Sequence, residues 1–227
     1  MEIKLLEGPM GLEASLLGLG LNFFLTSGYD RWQDVPAEEQ ERIKRVACRL
    51  APKGNGENKF LRAIHYSWLI RAPRYWFQEL ATYGVGTVTQ SESTMRILAR
   101  GRSFEPRDFE GEVDGWTLSK INILLDCLRA NPKATDLRLQ IKGRLPESFL
   151  QRRVWSCSLA VMQNVHRQRR NHRLPMWHEV CEAFVAGDGG TTDATSIGFF
   201  IVGYLGDPYF GPKEYRLYCV GDWYYDK

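Results

Sequence analysis

The sequence lacks a cysteine pair at short spacing. Its 5 cysteines, Cys48, Cys127, Cys157, Cys181 and Cys219, are odd in number and scattered, with no Cys-x-x-Cys. That excludes a dithiol redox motif and a thiolate zinc site, and predicts reduced, mostly buried thiols in a cytoplasmic protein. A long apolar run is also missing. The longest, Leu16 to Leu25, is broken by Gly18, Gly20 and Asn22, well short of the roughly 20 residues that span a bilayer. Acidic residues precede it and no small-residue cleavage site follows, so neither a membrane segment nor a signal peptide is expected. There is no Walker lysine loop. Gly84-x-Gly86 lacks the third glycine and the acidic residue of a dinucleotide fingerprint. The 4 histidines, His65, His166, His172 and His178, form no metal-ligand pattern, and no metal is expected. A net charge of +3 is mild and does not by itself argue for duplex nucleic acid, where a broad basic face is expected.

What is present is a globular composition over 227 residues, with 44% hydrophobic, 25% charged and 12% aromatic residues. The aromatic share favours a thick core or surfaces that stack on rings. Residues 1–7 alternate as a strand, and 12–25 read as a buried helix weakened by its glycines. Pro36 opens a helix to Leu50 with Glu38 and Glu39 at its positive end. Ile64, Tyr66, Trp68 and Ile70 share one face of a strand, and Pro73 starts a short helix to about Ala81. A polar turn around Tyr83–Arg96 follows, with Ser91 among the candidate caps for a helix over 95–100. Leu118, Ile121, Leu125 and Leu128 mark a helix over 117–130. Pro146 starts another expected helix, in which Leu150, Val154, Cys157, Val161 and Val165 form a stripe. The segment 187–192 reads as a linker, and 196–225, rich in Gly, Tyr and Phe, as strands and turns.

One stretch stands apart chemically. No acid lies between Glu147 and Glu179, yet Arg152, Arg153, Arg167, Arg169, Arg170 and Arg173 do. Clustered like charges repel unless an anion neutralises them, and arginine forks match phosphate or carboxylate oxygens. His166 and His172 lie inside this run and can meet an anion; His65 and His178 read as structural. The polar turn after Ala72-Pro73 offers backbone N–H groups and hydroxyls to the same kind of ligand.

Together the two segments resemble the flavin-dependent thymidylate synthases, also called thymidylate-synthase-complementing proteins. Ala72-Pro73, Gln78, the turn, Ser91 and Ser93 follow the order of that family's first motif. Asn164 and Arg169 keep the spacing of its second, with Leu145-Pro146 before it and Trp177-x-Glu179-Val180 after it. Ala72-Pro73-Arg74-Tyr75-Trp76 and Ser91-Glu92-Ser93-Thr94-Met95 are similar to a branch carried by bacteriophages. Thr82-Tyr83-Gly84 stands where the family has Arg-His-Arg, and Met95-Arg96 or Thr94-Met95 where it has Arg-Tyr.

The resemblance implies an α+β fold with a central, mostly antiparallel sheet and packed helices over 1–186. An aromatic, Gly-rich extension over 187–227 would pack on it. It implies methylation of dUMP, with FAD as cofactor, NADPH and methylenetetrahydrofolate as co-substrates, and a homotetramer whose pockets are shared between subunits. Arg169 matches an arginine that stabilises negative charge on the uracil carbonyl. Ser91 and Ser93 compete for the family's serine. Gln78, or Glu79 in an ungapped reading, matches its nucleotide-contacting glutamine. Arg74, Arg96 and Arg170 are expected at the nucleotide, and Asn164, Tyr83, Arg167 and His172 at the flavin. Two other readings stay open: a nucleotide or anion binder on the same fold without catalysis, and a nucleic-acid binder using arginines and aromatics.

Overall fold

The computed structural model describes residues 1–53, 56–99 and 102–186. The expected linker and C-terminal extension lie outside the described residues. The fold is α+β, with four strands in one antiparallel sheet and eight α-helices among the described residues. The strands are β1 (Glu2–Met10), β2 (His65–Pro73), β3 (Thr87–Ser91) and β4 (Leu150–Ser158), ordered β1-β2-β4-β3. The helices are α1 (Leu12–Leu21), α2 (Ala37–Leu50), α3 (Arg74–Leu80), α4 (Thr94–Ala99), α5 (Gly115–Ala130), α6 (Thr135–Arg144), α7 (Leu159–Arg169) and α8 (Met176–Ala186). None is long and apolar enough to cross a membrane, among the described residues.

Three expectations are corrected. The helix expected from Pro146 is instead a turn, then strand β4, then α7. The real buried row there is Phe149, Gln151, half-buried Arg153, Trp155 and Cys157, at period two. Its polar members disguised the alternation, while a chance four-three-four spacing of apolar residues imitated a helix. The polar turn around Tyr83–Arg96 is not one turn. A 3-10 turn over Ala81–Tyr83 is followed by β3, whose Thr87, Val88 and Thr89 are good strand formers. Helix α6 was not anticipated, because its only buried residue is Ile141.

The chain divides into two compact units. The first comprises Met1–Ile3 and Leu69–Trp155; the second comprises Lys4–Trp68 and the chain from Ser156 onward. The first unit's core is built from Leu98, Phe104, Phe109, Ile121, Leu125, Leu128, Ile141, Leu145 and Phe149. Phe104, Phe109 and Phe149 meet pairwise at ring-centroid distances of 6.2, 5.1 and 5.7 Å, tilted or edge-on as ring quadrupoles prefer. This triad holds the turn before β4 in place. Asp114 caps α5, its carboxylate accepting from the Thr117 N–H at 2.7 Å.

In the second unit, Ile64, Tyr66 and Trp68 are buried as the alternation predicts, and Trp68 packs on Phe184 at 5.2 Å. Helix α1 passes close to α2 at Gly20, where an added Cβ would lie 2.9 Å from Ile43 Cδ1 and 2.5 Å from Thr26 Cγ2. Helix α7 is fixed at its start by Ser158 Oγ, which accepts from the Val161 N–H, and along its length by Gln163 Nε2, which donates to the Ala51 carbonyl at 3.1 Å.

Candidate functional site

In the first unit the chemistry gathers where α3 starts beside the turn into β4. Arg153 is half-buried on β4, with its guanidinium 4.0 Å from the centre of the Phe77 ring on α3. Its Nη2 donates to Gln151 Oε1 at 3.0 Å, and Gln151 Nε2 donates to Thr94 Oγ1 at 2.7 Å. Arg153 Nε is buried without an acceptor, and no carboxylate pairs with this arginine among the described residues. Burial first, and the charge of Arg74 second, hold its pKa below the ordinary arginine value.

Arg74, the first residue of α3, donates through Nη1 to the Leu145 carbonyl at 3.0 Å and pairs through Nη2 with Glu147 Oε1 at 3.1 Å. Gln78 Nε2 donates to the other carboxylate oxygen, also at 3.1 Å. Two of the expected nucleotide-contacting residues are therefore brought together, bridged by Glu147, which sequence reasoning did not single out. Glu147 neutralises Arg74, while Arg153 has no carboxylate partner among the described residues, so its positive charge is left over.

The rest of the polar segment behaves differently. Glu92 accepts from Arg152 Nε at 2.9 Å and from its backbone N–H at 3.0 Å. A distant acid therefore neutralises part of the run that looked acid-free. Ser91 is exposed on β3 and is not the cap of α4; Ser93 Oγ fills that role, accepting from the Arg96 N–H at 3.4 Å. Arg96 is exposed, and half-buried Tyr83 uses its carbonyl to accept from Thr87 Oγ1 at 3.1 Å.

The second unit holds the other expected residues on α7 and just beyond it. Asn164 Oδ1 accepts from Arg167 Nη2 at 3.0 Å and from Gln168 Nε2 at 3.1 Å. Arg167 is exposed and has no carboxylate partner among the described residues. Such an oriented, unneutralised guanidinium beside an amide can meet phosphate or carboxylate oxygens. The Arg169 guanidinium lies 4.8 Å from the centre of the fully buried Trp177 ring, a cation–π geometry. His172 meets the same ring edge-on at 6.4 Å, and its Nδ1 accepts from the Leu174 N–H at 3.2 Å.

His166 does not meet an anion as a cation. It is buried, and burial, then the Arg170 charge, push its pKa down to about 4, so it is neutral near pH 7. Cys181 is pushed up to about 12 by burial, despite the lowering effect of Arg170. It is an inert thiol, not a nucleophile. His65 and His178 are exposed. No group of three metal-ligating side chains gathers among the described residues.

Neither a protein-family model nor a curated protein sequence matches this one. Solved structures do. Flavin-dependent thymidylate synthase ThyX from Helicobacter pylori, complexed with FAD and dUMP, superposes with a TM-score of 0.60 at 19% identity, covering 84% of this chain and 95% of that one. The chain has the fold of flavin-dependent thymidylate synthase. A second structure of the same Helicobacter pylori protein with FAD and dUMP agrees at the same score, covering 84% of this chain and 96% of that one. The UMP/dUMP methylase PolB from Streptomyces cacaoi, bound with 5-Br dUMP, superposes at 0.52 and 16% identity over 82% of this chain and 88% of that one. This thymidylate synthase fold is reached with Thr82 and Tyr83 in a 3-10 turn, where an Arg-His-Arg turn was the family expectation.

Proposed function

We propose that this chain binds a pyrimidine nucleotide, dUMP, and transfers to it a one-carbon unit from methylenetetrahydrofolate. The observation that carries the reading is Arg153, a half-buried guanidinium braced on Phe77 with no carboxylate partner among the described residues. It supplies a charge that a phosphate would neutralise, on a fold whose solved structures include complexes with dUMP and with 5-Br dUMP. Arg153 and Arg74 take the phosphate, with Arg96 adding charge, and Gln78 orients the nucleotide; Arg170 is proposed at the nucleotide on the resemblance alone. Arg169, braced by Trp177, stabilises negative charge developing on the uracil carbonyl. Ser91 and Ser93 are the hydroxyls proposed beside the reacting ring. Asn164, Arg167, His172 and Tyr83 are the residues that would hold FAD. When bound and reduced, FAD supplies a hydride, with NADPH as its reductant. A cytoplasmic homotetramer, and a 187–227 extension packing on a 1–186 domain, are proposed on the resemblance alone.

A second reading is nucleotide binding without turnover. Thr82-Tyr83-Gly84 favours it, since that turn brings no arginine to a flavin. Two measurements on the purified protein separate the readings. A flavin absorption band and a dUMP-dependent rise in melting temperature support the synthase. A colourless protein that gains no band with added FAD removes the synthase and leaves the binder. Binding at a hundredfold excess over Kd adds about 2.7 kcal/mol of stability, so the absence of any shift across a nucleotide panel removes both.

A further inference from the structure

Helices α5 and α6 pack through Ile121, Leu125, Leu128 and Ile141. Beside that seam lies a cleft of about 500 Å³, walled by Trp116, Lys120 and Leu124 of α5 and by Gln140 and Arg144 of α6. Trp116 is unlike the other described tryptophans. Trp68, Trp76, Trp155 and Trp177 are at most 1% exposed and Trp32 8%, whereas Trp116 is 70% exposed. The Lys120 ammonium sits one helical turn on, 5.2 Å from the ring centre. Arg144, in the last turn of α6, donates to the carbonyl of Gln140, at 3.2 Å. Neither cation has a carboxylate partner among the described residues.

An exposed indole is a stacking platform, buried Ile121 and half-buried Leu124 make an apolar wall, and two unneutralised cations complete the set. The volume falls within the roughly 300–1,000 Å³ range of small-molecule sites. We propose that this cleft binds a ligand of the nucleoside monophosphate class: a planar heteroaromatic ring stacked on Trp116, its phosphate held by Lys120 and Arg144. None of these residues belongs to the Arg153 cluster or to α7, so the site stands apart from the proposed dUMP reading.

The test uses the full chain and adenosine monophosphate as probe. Subtracting the fluorescence of W116F from that of the wild type isolates Trp116. The expected result is saturable quenching of that emission by the nucleotide, with adenosine or inorganic phosphate alone binding about tenfold more weakly or worse. K120Q/R144Q, with its fold checked by circular dichroism, raises the nucleotide Kd about tenfold; K120Q alone, expected to raise it severalfold, substitutes if the pair misfolds. No quenching up to about 10 mM overturns the proposal, as does quenching that the cation variants leave unchanged. An assembly whose sedimented mass falls in W116S also overturns it, because a second copy would then be what covers the ring.

Discussion

The Arg153 guanidinium lies over the Phe77 ring at 4.0 Å, so the strand that carries the charge and the helix that flanks it are joined by a cation–π contact rather than an ion pair. This arginine gives folding little from charge, because no carboxylate among the described residues neutralises it and Arg74 repels it. Replacing it with glutamine is expected to leave thermal stability unchanged or slightly raised. The same R153Q change is expected to weaken dUMP binding about tenfold to a hundredfold, the range for a charge-assisted hydrogen bond, while deoxyuridine is unaffected. Calorimetric titration of both ligands checks this. Equal losses for the two would show that Arg153 does not meet the phosphate.

Glu147 ties Arg74 and Gln78 together through separate carboxylate oxygens. It is half exposed, so the E147Q change is expected to cost at most about 1 kcal/mol of stability. It also removes an internal anion that competes with phosphate, and dUMP is expected to bind about tenfold tighter. Unfolding curves and binding isotherms on one preparation read both effects. A variant that binds more weakly would mean that Glu147 preorganises the site instead.

His166 has its pKa lowered from 6.5 to about 4 in the fold. The unfolded chain therefore takes up a proton that the folded chain refuses. The stability that this neutral histidine contributes is intact above pH 6.5 and is lost as pH falls toward 4. Carboxylates also titrate there, so the diagnostic quantity is a difference. H166Q should show a shallower fall in melting temperature between pH 6.5 and 4 than the wild type. Parallel curves would refute the assignment.

Two glycines on α1 are expected to respond with opposite signs. An added Cβ at Gly18 meets nothing within 4 Å, so G18A should stabilise by about 0.5–1 kcal/mol through helix propensity. At Gly20 the Cβ would collide with Thr26 and Ile43, and G20A should destabilise by about 1–3 kcal/mol despite the same propensity gain. Chemical denaturation of the two single variants decides the point.

Much of the architecture was legible because single faces are uniformly apolar. Ile64, Tyr66, Trp68 and Ile70 announced β2, and Ile121, Leu125 and Leu128 announced α5. Strand β4 was not legible, since its inward row includes Gln151 and Arg153, whose burial depends on Thr94 and Phe77, far away in sequence. The same misreading hid Arg153 as an individual site residue: on a helix it was one basic residue of six, whereas on a strand it is a charge in a buried row. Arg74 and Gln78 were picked from the motif, but their shared partner Glu147 depends on tertiary approach and left no local signal. Around Trp177, Arg169 and His172 were each anticipated, and the ring that gathers them was noted only as part of a pattern.

Strand β4 lies beside β2 in the sheet, yet residues 74–149 are synthesised between them. At ribosomal speeds that interval is roughly 4–15 s. Through it the apolar face of β2, with Trp68 and Ile70, has no β4 to pair with. The Leu69–Trp155 unit is almost wholly emerged by the time β4 appears. Birth order thus leaves β2 an unmatched sheet edge for several seconds, which exposes it to pairing with other chains until β4 arrives.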